Sequence, residues 1–247
     1  MMPMSDGGAL PHPTVRIYTD FDGTITPDDI GALLFRRLCG DSVFDAITAQ
    51  WSDGQYTGVE MYTRLAASAT PAGESILTDL LVDHDIDQSF PAFVQWCDAH
   101  GYPVTILSDG FDAYIEPMLA RRDLRLSVRC NTLRFEHQRV IMEFPFADER
   151  CYRTANCKAH HVALLSRDED LVVYVGDGRS DFEAAAMADL VFARGLLETH
   201  CQMENITFRR FSTFNDVRII LSGLISQGKL RRRKRAELLR RQLWTSG

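Results

Sequence analysis

Three features of the sequence predict an α/β fold built on a Rossmann-like, doubly wound parallel sheet. Four short apolar runs are separated by stretches of helical period, the alternation that winds a parallel sheet. The run at 171–175 is apolar throughout, as expected of a strand covered by helices on both faces. Each of the first three runs closes on a polar cluster rich in Asp and Gly, and ligands bind such sheets beyond the carboxyl ends of their strands. An inserted helical cap and a small β-hairpin lid complete the expected architecture.

Taken in order, residues 1–13 (MMPMSDGGALPHP) have no periodicity and read as a loose leader, with order expected from Thr14. The first strand, 15–19, runs into Asp20-Phe21-Asp22-Gly23-Thr24. Residues 28–88 read as mostly helical, with Thr70-Pro71 as a helix start. At about sixty residues they are too long for a crossover and are taken as the cap, leaving 14–27 and 89–228 as the core. Helices are expected there at 89–100, 112–122, 158–166, 180–188 and 215–227, with Gly101 and Gly228 closing the first and last. Strands are expected at 104–107, ending in Ser108-Asp109-Gly110, at 171–175, ending in Gly176-Asp177-Gly178, and at 190–193. Residues 129–147 alternate around a polar centre and predict the hairpin lid.

The chain has 247 residues, 45% apolar and 25% charged, which excludes a disordered polymer and allows one large domain or a core with an insertion. No apolar run approaches the ~18 residues that span a bilayer, and no basic-then-apolar leader is written, so a cytoplasmic location is expected. The net charge of −7 is unevenly spread. Residues 229–247 carry eight bases against Glu237, a local +7, while 1–228 carry 19 bases against 33 acids. An acidic body repels nucleic-acid phosphates, so only the tail can attract polyanions. The tail reads first as a solvated helix or one drawn to the acidic body of its own or a neighbouring chain, and second as a binding element for an acidic partner, anionic lipid or RNA. Six cysteines are scattered without a CxxC pair, so buried free thiols are expected; Cys151 and Cys157 with His160 and His161 offer a metal site only at a non-diagnostic spacing.

Asp20 and Asp22 stand two apart at a strand end, where an extended backbone points both carboxylates one way and Phe21 the other. Paired acids need a cation or a shared proton. Asp177 and Asp181 bring two more acids to the same edge. Four carboxylates with few nearby bases suit Mg2+, which takes one or two carboxylates and keeps waters and substrate phosphate as its other ligands. A phosphorylated substrate follows. Gly23, Gly110 and Gly178 each follow an acid and leave backbone amides open to an anion. Ser108 supplies a hydroxyl, and Lys158, the only lysine before the tail, a compact ammonium. Each has a plainer reading: Ser108 as a strand terminus, Asp181 as a helix N-terminal charge, Lys158 as a survivor of an Arg-biased composition. Ser180 and Glu183 fit a capping box, which makes Ser180 a helix cap and Asp181 the first helical residue.

In order and spacing, Asp20-Phe21-Asp22-Gly23-Thr24, Ser108, Lys158 and Gly176-Asp177-Gly178-Arg179-Ser180-Asp181 resemble the four motifs of the haloacid dehalogenase superfamily of phosphatases, over residues 15 to about 195. A cap directly after the first motif resembles the phosphoserine phosphatase-like branch, subfamily IB. The contexts Asp20 to Asp29, Arg129-Cys130-Asn131, Cys157-Lys158 and Phe192-Ala193-Arg194 most resemble the methionine-salvage phosphatases of 2-hydroxy-3-keto-5-methylthiopentenyl-1-phosphate. The resemblance implies that Asp20 is a nucleophile forming an aspartyl-phosphate and that Asp22 is the general acid and base. It implies Mg2+ on Asp20, the Asp22 carbonyl and Asp177, with Asp181 in support, and phosphoryl oxygens on Ser108, the Asp109 amide and Lys158 beside Gly23.

The sequence departs from that pattern in three places. Only Cys151 and Cys157 stand where the salvage enzymes are cysteine-rich. Ser108-Asp109-Gly110 replaces Ser-Gly-Gly, and Asp29 stands near the Glu with which phosphoserine phosphatases recognise an amine. Phosphoserine, phosphoethanolamine or phosphocholine therefore remain as alternative substrates and a phosphomutase as an alternative reaction; Asp22 argues against a dehalogenase. Specificity is expected in the cap, with Trp51, Tyr56, Tyr62 and Arg64 as its candidate residues.

Overall fold

The computed structural model describes residues 14–245; the expected leader, 1–13, lies outside them. β1 (Val15–Thr19) lies in the middle of a seven-stranded sheet, with Val15, Ile17 and Tyr18 buried. Four helices follow it: α1 (Ile30–Cys39), α2 (Asp41–Ser52), α3 (Gly58–Ala67) and α4 (Ser75–Val82). Asp29 caps α1 by accepting from the Ala32 amide at 2.7 Å, and Thr57 with Glu60 forms a capping box on α3. α4 does not start at Thr70-Pro71. The Thr70 amide and hydroxyl both donate to the Leu38 carbonyl, at 2.8 and 3.0 Å, and the Ala72 amide donates to the Gln138 carbonyl at 3.0 Å. Those bonds hold the segment as a strap, and the helix begins only at Ser75.

α5 (Phe90–Ala99) leads into β2 (Val104–Phe111) and α6 (Asp112–Ala120). β2 does not stop at Leu107; it continues through Ser108-Asp109-Gly110, with its pairing to the next strand irregular between Leu107 and Phe111. β3 (Ser127–Glu136) and β4 (Arg139–Glu143) form the expected antiparallel hairpin, turned through His137 and Gln138 at φ 48° and 63°. The hairpin is more than a lid, because residues 127–131 also pair parallel with β2 and make β3 part of the main sheet. Beyond it come α7 (Lys158–Leu165), β5 (Leu171–Gly176), a 3-10 turn at Arg179–Asp181, α8 (Phe182–Ala186) and β6 (Leu190–Ala193). α9 (Gly195–Met203) and the edge strand β7 (Phe208–Arg210) were not anticipated; α10 (Phe214–Ser226) and α11 (Lys234–Thr245) close the chain. The strand order is β4-β3-β2-β1-β5-β6-β7, with every pair parallel except β3 and β4. The chain leaves β1 for β2 on one side and returns to β5 on the other. β1 and β5 are therefore neighbours at the switch of direction, and their carboxyl ends carry Asp20 and Asp177.

The basic tail lies against its own body. Ala236 and Arg240 of α11 are buried, and Leu239 and Leu243 pack on the apolar layer under β5 and β6. Arg240 donates to the Met187 carbonyl and to Asp189, the latter at 3.4 Å. Asp189 also accepts from the Arg233 amide at 2.8 Å and the Val172 amide at 2.9 Å. No helix among the described residues is long and apolar enough to cross a membrane.

The cysteines depart from the expectation of six buried thiols. Cys97 and Cys201 are buried and Cys39 and Cys130 half-buried, but Cys151 and Cys157 form a disulfide. A 3-10 turn at Glu149–Cys151 and the bond from the Thr154 amide to the Cys151 carbonyl fold the segment back on itself and bring the two together. The metal site considered for these cysteines and histidines is not formed in this structure. Their sulfurs are joined, His160 pairs with Asp148 at 2.9 Å, and His161 pairs with the Asn156 amide oxygen at 2.8 Å.

Candidate active site

At the carboxyl ends of β1, β2 and β5 the structure gathers Asp20, Asp22, Ser108, Asp177 and Ser180 around a cavity of ≈ 330 Å³. Lys158, at the first position of α7, reaches in from below, almost wholly buried. Its ammonium donates to Asp20 and Asp181, each at 2.7 Å, and to the Ser180 hydroxyl at 2.9 Å. Burial alone would lower this ammonium, but the carboxylates of Asp181 and Asp20 outweigh it and hold the group charged.

Carboxylate oxygens of Asp20, Asp177 and Asp181 lie within 4.8 Å of one another. They are not equivalent. Asp181 is saturated: one oxygen accepts from Lys158 and the Tyr174 hydroxyl at 2.7 Å each, the other from the Asp177 and Gly178 amides at 3.0 and 2.9 Å. All four acceptor sites are used, so Asp181 orients the 176–178 turn and the lysine. Asp20 accepts from Lys158 and the Phe21 amide, and Asp177 from the Thr24 hydroxyl at 2.5 Å. Burial, and then the Asp181 charge, raise the Asp20 carboxyl; the same two causes lift Asp177 to about 6. A cation between them would relieve that repulsion.

The expected convergence of four carboxylates is reduced to three. β1 ends at Thr19 and the chain bends at Phe21 and Asp22, so the extended geometry that would align Asp20 with Asp22 is absent. Phe21 still enters the core. The Asp22 carboxyl turns to the start of α1, accepting from the Ile30 and Gly31 amides at 2.9 and 3.3 Å and from the Tyr114 hydroxyl at 2.6 Å. Burial, and then Asp29, raise it to about 7 against the pull of these donors. The Ser108 hydroxyl is fully buried 3.5 Å from Asp22 and accepts the Gly110 amide at 3.0 Å.

The amides of the three glycines themselves are committed within the chain. Gly23 donates to the Asp28 carbonyl at 3.3 Å, Gly110 to Ser108, and Gly178 to Asp181. At Gly23 the demand is on space and φ: the angle is +71°, and a Cβ would lie 2.5 Å from an Asp177 oxygen. Ser180 is not a helix cap. Its hydroxyl is taken by Lys158, Asp181 sits in the 3-10 turn, and the Asp181 carboxylate caps that turn through the Gly178 amide. The departure at Asp109 has a local purpose. Its half-buried carboxylate accepts the Ala155 and Asn156 amides at 2.8 Å each, tying the loop before Lys158 to β2.

Helices α1 to α3 form the cavity's opposite wall with Phe35, Phe44, Trp51, Met61, Tyr62 and Leu65. Of the four cap residues singled out from the sequence, Trp51 and Tyr62 line it. Tyr56 and Arg64 do not: the guanidinium stacks 4.0 Å from the Tyr56 ring centre and the phenol donates to Gln50. The wall is anchored to the loop before Lys158, because the Trp51 indole donates to the Arg153 carbonyl at 2.8 Å and the Gly58 amide to the Tyr152 carbonyl at 2.9 Å. Tyr114 was missed by the sequence reading.

Fold and site together define a doubly wound α/β protein with an acid–lysine cluster at the carboxyl edge of its sheet. A family model described as haloacid dehalogenase-like hydrolase matches residues 17–186, and the chain belongs to that family. Its curated relatives include proteins of Bacillus cereus (strain AH820) and Bacillus thuringiensis (strain Al Hakam), both named 2-hydroxy-3-keto-5-methylthiopentenyl-1-phosphate phosphatase. Each is 28% identical over 217 residues, spanning 86% of this chain and 98% of the relative. Among solved structures, a phospho-aspartyl intermediate analogue of a phosphoserine phosphatase superposes with a TM-score of 0.66 at 16% identity, over 85% of this chain and 99% of that one. An unliganded probable phosphoserine phosphatase from Vibrio cholerae gives 0.65 at 21%, over 90% and 69%. At such identities the likeness concerns the fold.

Proposed function

We propose that the protein is a Mg2+-dependent phosphomonoesterase of a small metabolite with an apolar tail, for which 2-hydroxy-3-keto-5-methylthiopentenyl-1-phosphate, the compound in its relatives' names, is the leading candidate. In this reading 28–88 form a cap over a core of 14–27 and 89–228. The observation that carries the choice of substrate is the cavity wall. Residues 28–88 contribute six large apolar or aromatic side chains to it and no Lys, Arg or His. Their one acid there, Asp29, gives one carboxylate oxygen to the cap of α1. A methylthio tail gains by leaving water for such a wall, whereas an amino-acid headgroup would lose hydration there and find no base in 28–88 for its carboxylate.

The donors suit Mg2+: all are hard oxygens and the acids repel one another without a cation. Asp20 and Asp177 would hold the ion, with Asp181 supporting them; when bound, it supplies neutralisation of phosphoryl charge. Asp20 attacks phosphorus as Asp22 protonates the departing alkoxide, and Asp22 then takes the proton of the water that hydrolyses the aspartyl-phosphate. Lys158, Ser108 and the Asp109 amide, beside Gly23, neutralise and orient the phosphoryl oxygens.

The test is a panel of phosphate esters assayed for kcat/KM with Mg2+. The methylthiopentenyl ester should exceed phosphoserine by roughly a hundredfold, the scale on which a fitted apolar pocket discriminates, and Asp20→Asn should abolish both activities. Equal turnover of phosphoserine would refute the substrate class, and an active Asp20→Asn the nucleophile.

A further inference from the structure

Asp22 has four acceptor sites, and three have well-placed donors. One oxygen takes the Ile30 and Gly31 amides, and the other takes the Tyr114 hydroxyl at 2.6 Å. The last site, on the oxygen that Tyr114 holds, is approached only by the Ser108 hydroxyl at 3.5 Å. A proton on Asp22 is thereby confined to one position of one oxygen, on the side it shares with the phosphate-binding serine.

The Tyr114 hydroxyl is itself firmly placed. The residue is fully buried, lines the cavity and lies in the first turn of α6, with its ring 6.2 Å from that of Phe21. α6 is pinned in turn to β3 by Asp112, which accepts from the Leu133 amide and from Arg134. The space for the contact comes from Gly110, where a Cβ would lie 1.8 Å from the Tyr114 oxygen and 2.5 Å from the Asp22 carboxyl. Any larger residue at 110 would displace the hydroxyl.

We infer that Tyr114 is a positioning residue for leaving-group protonation: its hydroxyl fixes the Asp22 carboxyl in the rotation from which the proton passes to the departing alkoxide. The inference rests on Asp22 being the general acid. As the bond from Asp20 to phosphorus forms and the ester P–O bond breaks, the proton moves from Asp22 to the alkoxide oxygen. Tyr114 keeps its own proton and donates to the carboxylate left behind.

The experiment compares n-butyl phosphate, whose alkoxide must be protonated as it leaves, with p-nitrophenyl phosphate, whose phenolate leaves as a stable anion. kcat/KM is the quantity to read because it reports phosphoenzyme formation and not the later hydrolysis. Tyr114→Phe removes one oxygen and keeps the ring. It should lower kcat/KM for n-butyl phosphate ~10-fold, part of the 10²–10⁴ that general acid catalysis supplies, and leave p-nitrophenyl phosphate within about twofold. A structural role would lower both alike, and that result, or no loss on either, overturns the inference. Asp22→Asn, run alongside, tests the underlying reading: a selective loss there without one in Tyr114→Phe removes Tyr114's role alone, and a loss on both esters removes the acid role of Asp22 and this inference with it.

Discussion

Replacing Lys158 by Met keeps most of the side chain's unbranched stem and deletes its charge, so the consequences can be worked from the ammonium's partners. Lys158, Asp20 and Asp181 have side-chain exposures of 1%, 7% and 0%, and removing one member of a buried ion pair costs about 3–5 kcal/mol. The two stranded carboxylates are not equally exposed to that loss. Asp181 keeps the Tyr174 hydroxyl and two amides, whereas Asp20 keeps only the Phe21 amide. The cost therefore falls mainly on Asp20 and belongs at the lower end, about 3 kcal/mol. The pH dependence has a definite sign. Asp20 already titrates above its ordinary value because of burial and Asp181, and loss of the lysine raises it further. A raised carboxyl costs stability above its folded pKa and costs nothing below its unfolded one. The deficit of Lys158→Met should therefore be largest at pH 8 and shrink towards pH 4 as Asp20 takes up a proton in the folded state. Urea unfolding in EDTA at several pH values measures this, as a fall in midpoint with the slope unchanged. Activity should drop ~10²–10³-fold, the cost of losing one preorganised group that stabilises developing charge. A deficit under 1 kcal/mol at pH 8, a deficit independent of pH, or activity within tenfold of the parent would refute the assignment of Lys158 as the charge that holds the site together.

Two further outcomes follow. In the metal-free protein, Asp177 titrates near 6 and Asp20 also above its ordinary value, so stability should rise as pH falls from 8 through that range. Mg2+ competes with those protons and should raise Tm more at pH 8 than at pH 5; an equal shift at both would remove the ion from this acid cluster. At the other end of the chain, Arg240→Ala breaks charge-assisted bonds to Met187 and Asp189. It should cost about 2 kcal/mol in urea unfolding with kcat/KM unchanged, while exposed Arg231→Ala should stay within about 0.5 kcal/mol. Equal effects of the two would mean that α11 is not docked.

What the sequence made legible was whatever a contiguous run could carry. The strands at β1, β5 and β6 announce themselves by apolar runs, and the acids that follow the first two put Asp20 and Asp177 at one edge before any coordinates are known. α9 and β7 were missed because neither has such a run. β7 is three residues with two exposed arginines, paired along one side only, and α9 opens on a glycine that the helix pattern counts against it.

Two of the other departures share one physical cause, a local rule overridden by a partner far along the chain. Ser180 has the spacing of a helix cap, but Lys158, 22 residues earlier, takes its hydroxyl. Asp22 has the spacing that aligns it with Asp20, but the amides opening α1 and the hydroxyl of Tyr114, 92 residues away, turn it aside. That turn separates two functions that an extended strand would have merged. With its carboxyl beside Asp20, Asp22 would have joined the cation cluster and lost its proton to it. Held at α1 instead, where desolvation and then Asp29 lift it to about 7, it can keep a proton near neutral pH. In the proposed mechanism, the bend after Thr19 is thus what would allow two acids two positions apart to serve as nucleophile and acid. The one trace it left in the sequence is Gly110, whose missing side chain makes room for the hydroxyl that holds Asp22 in place.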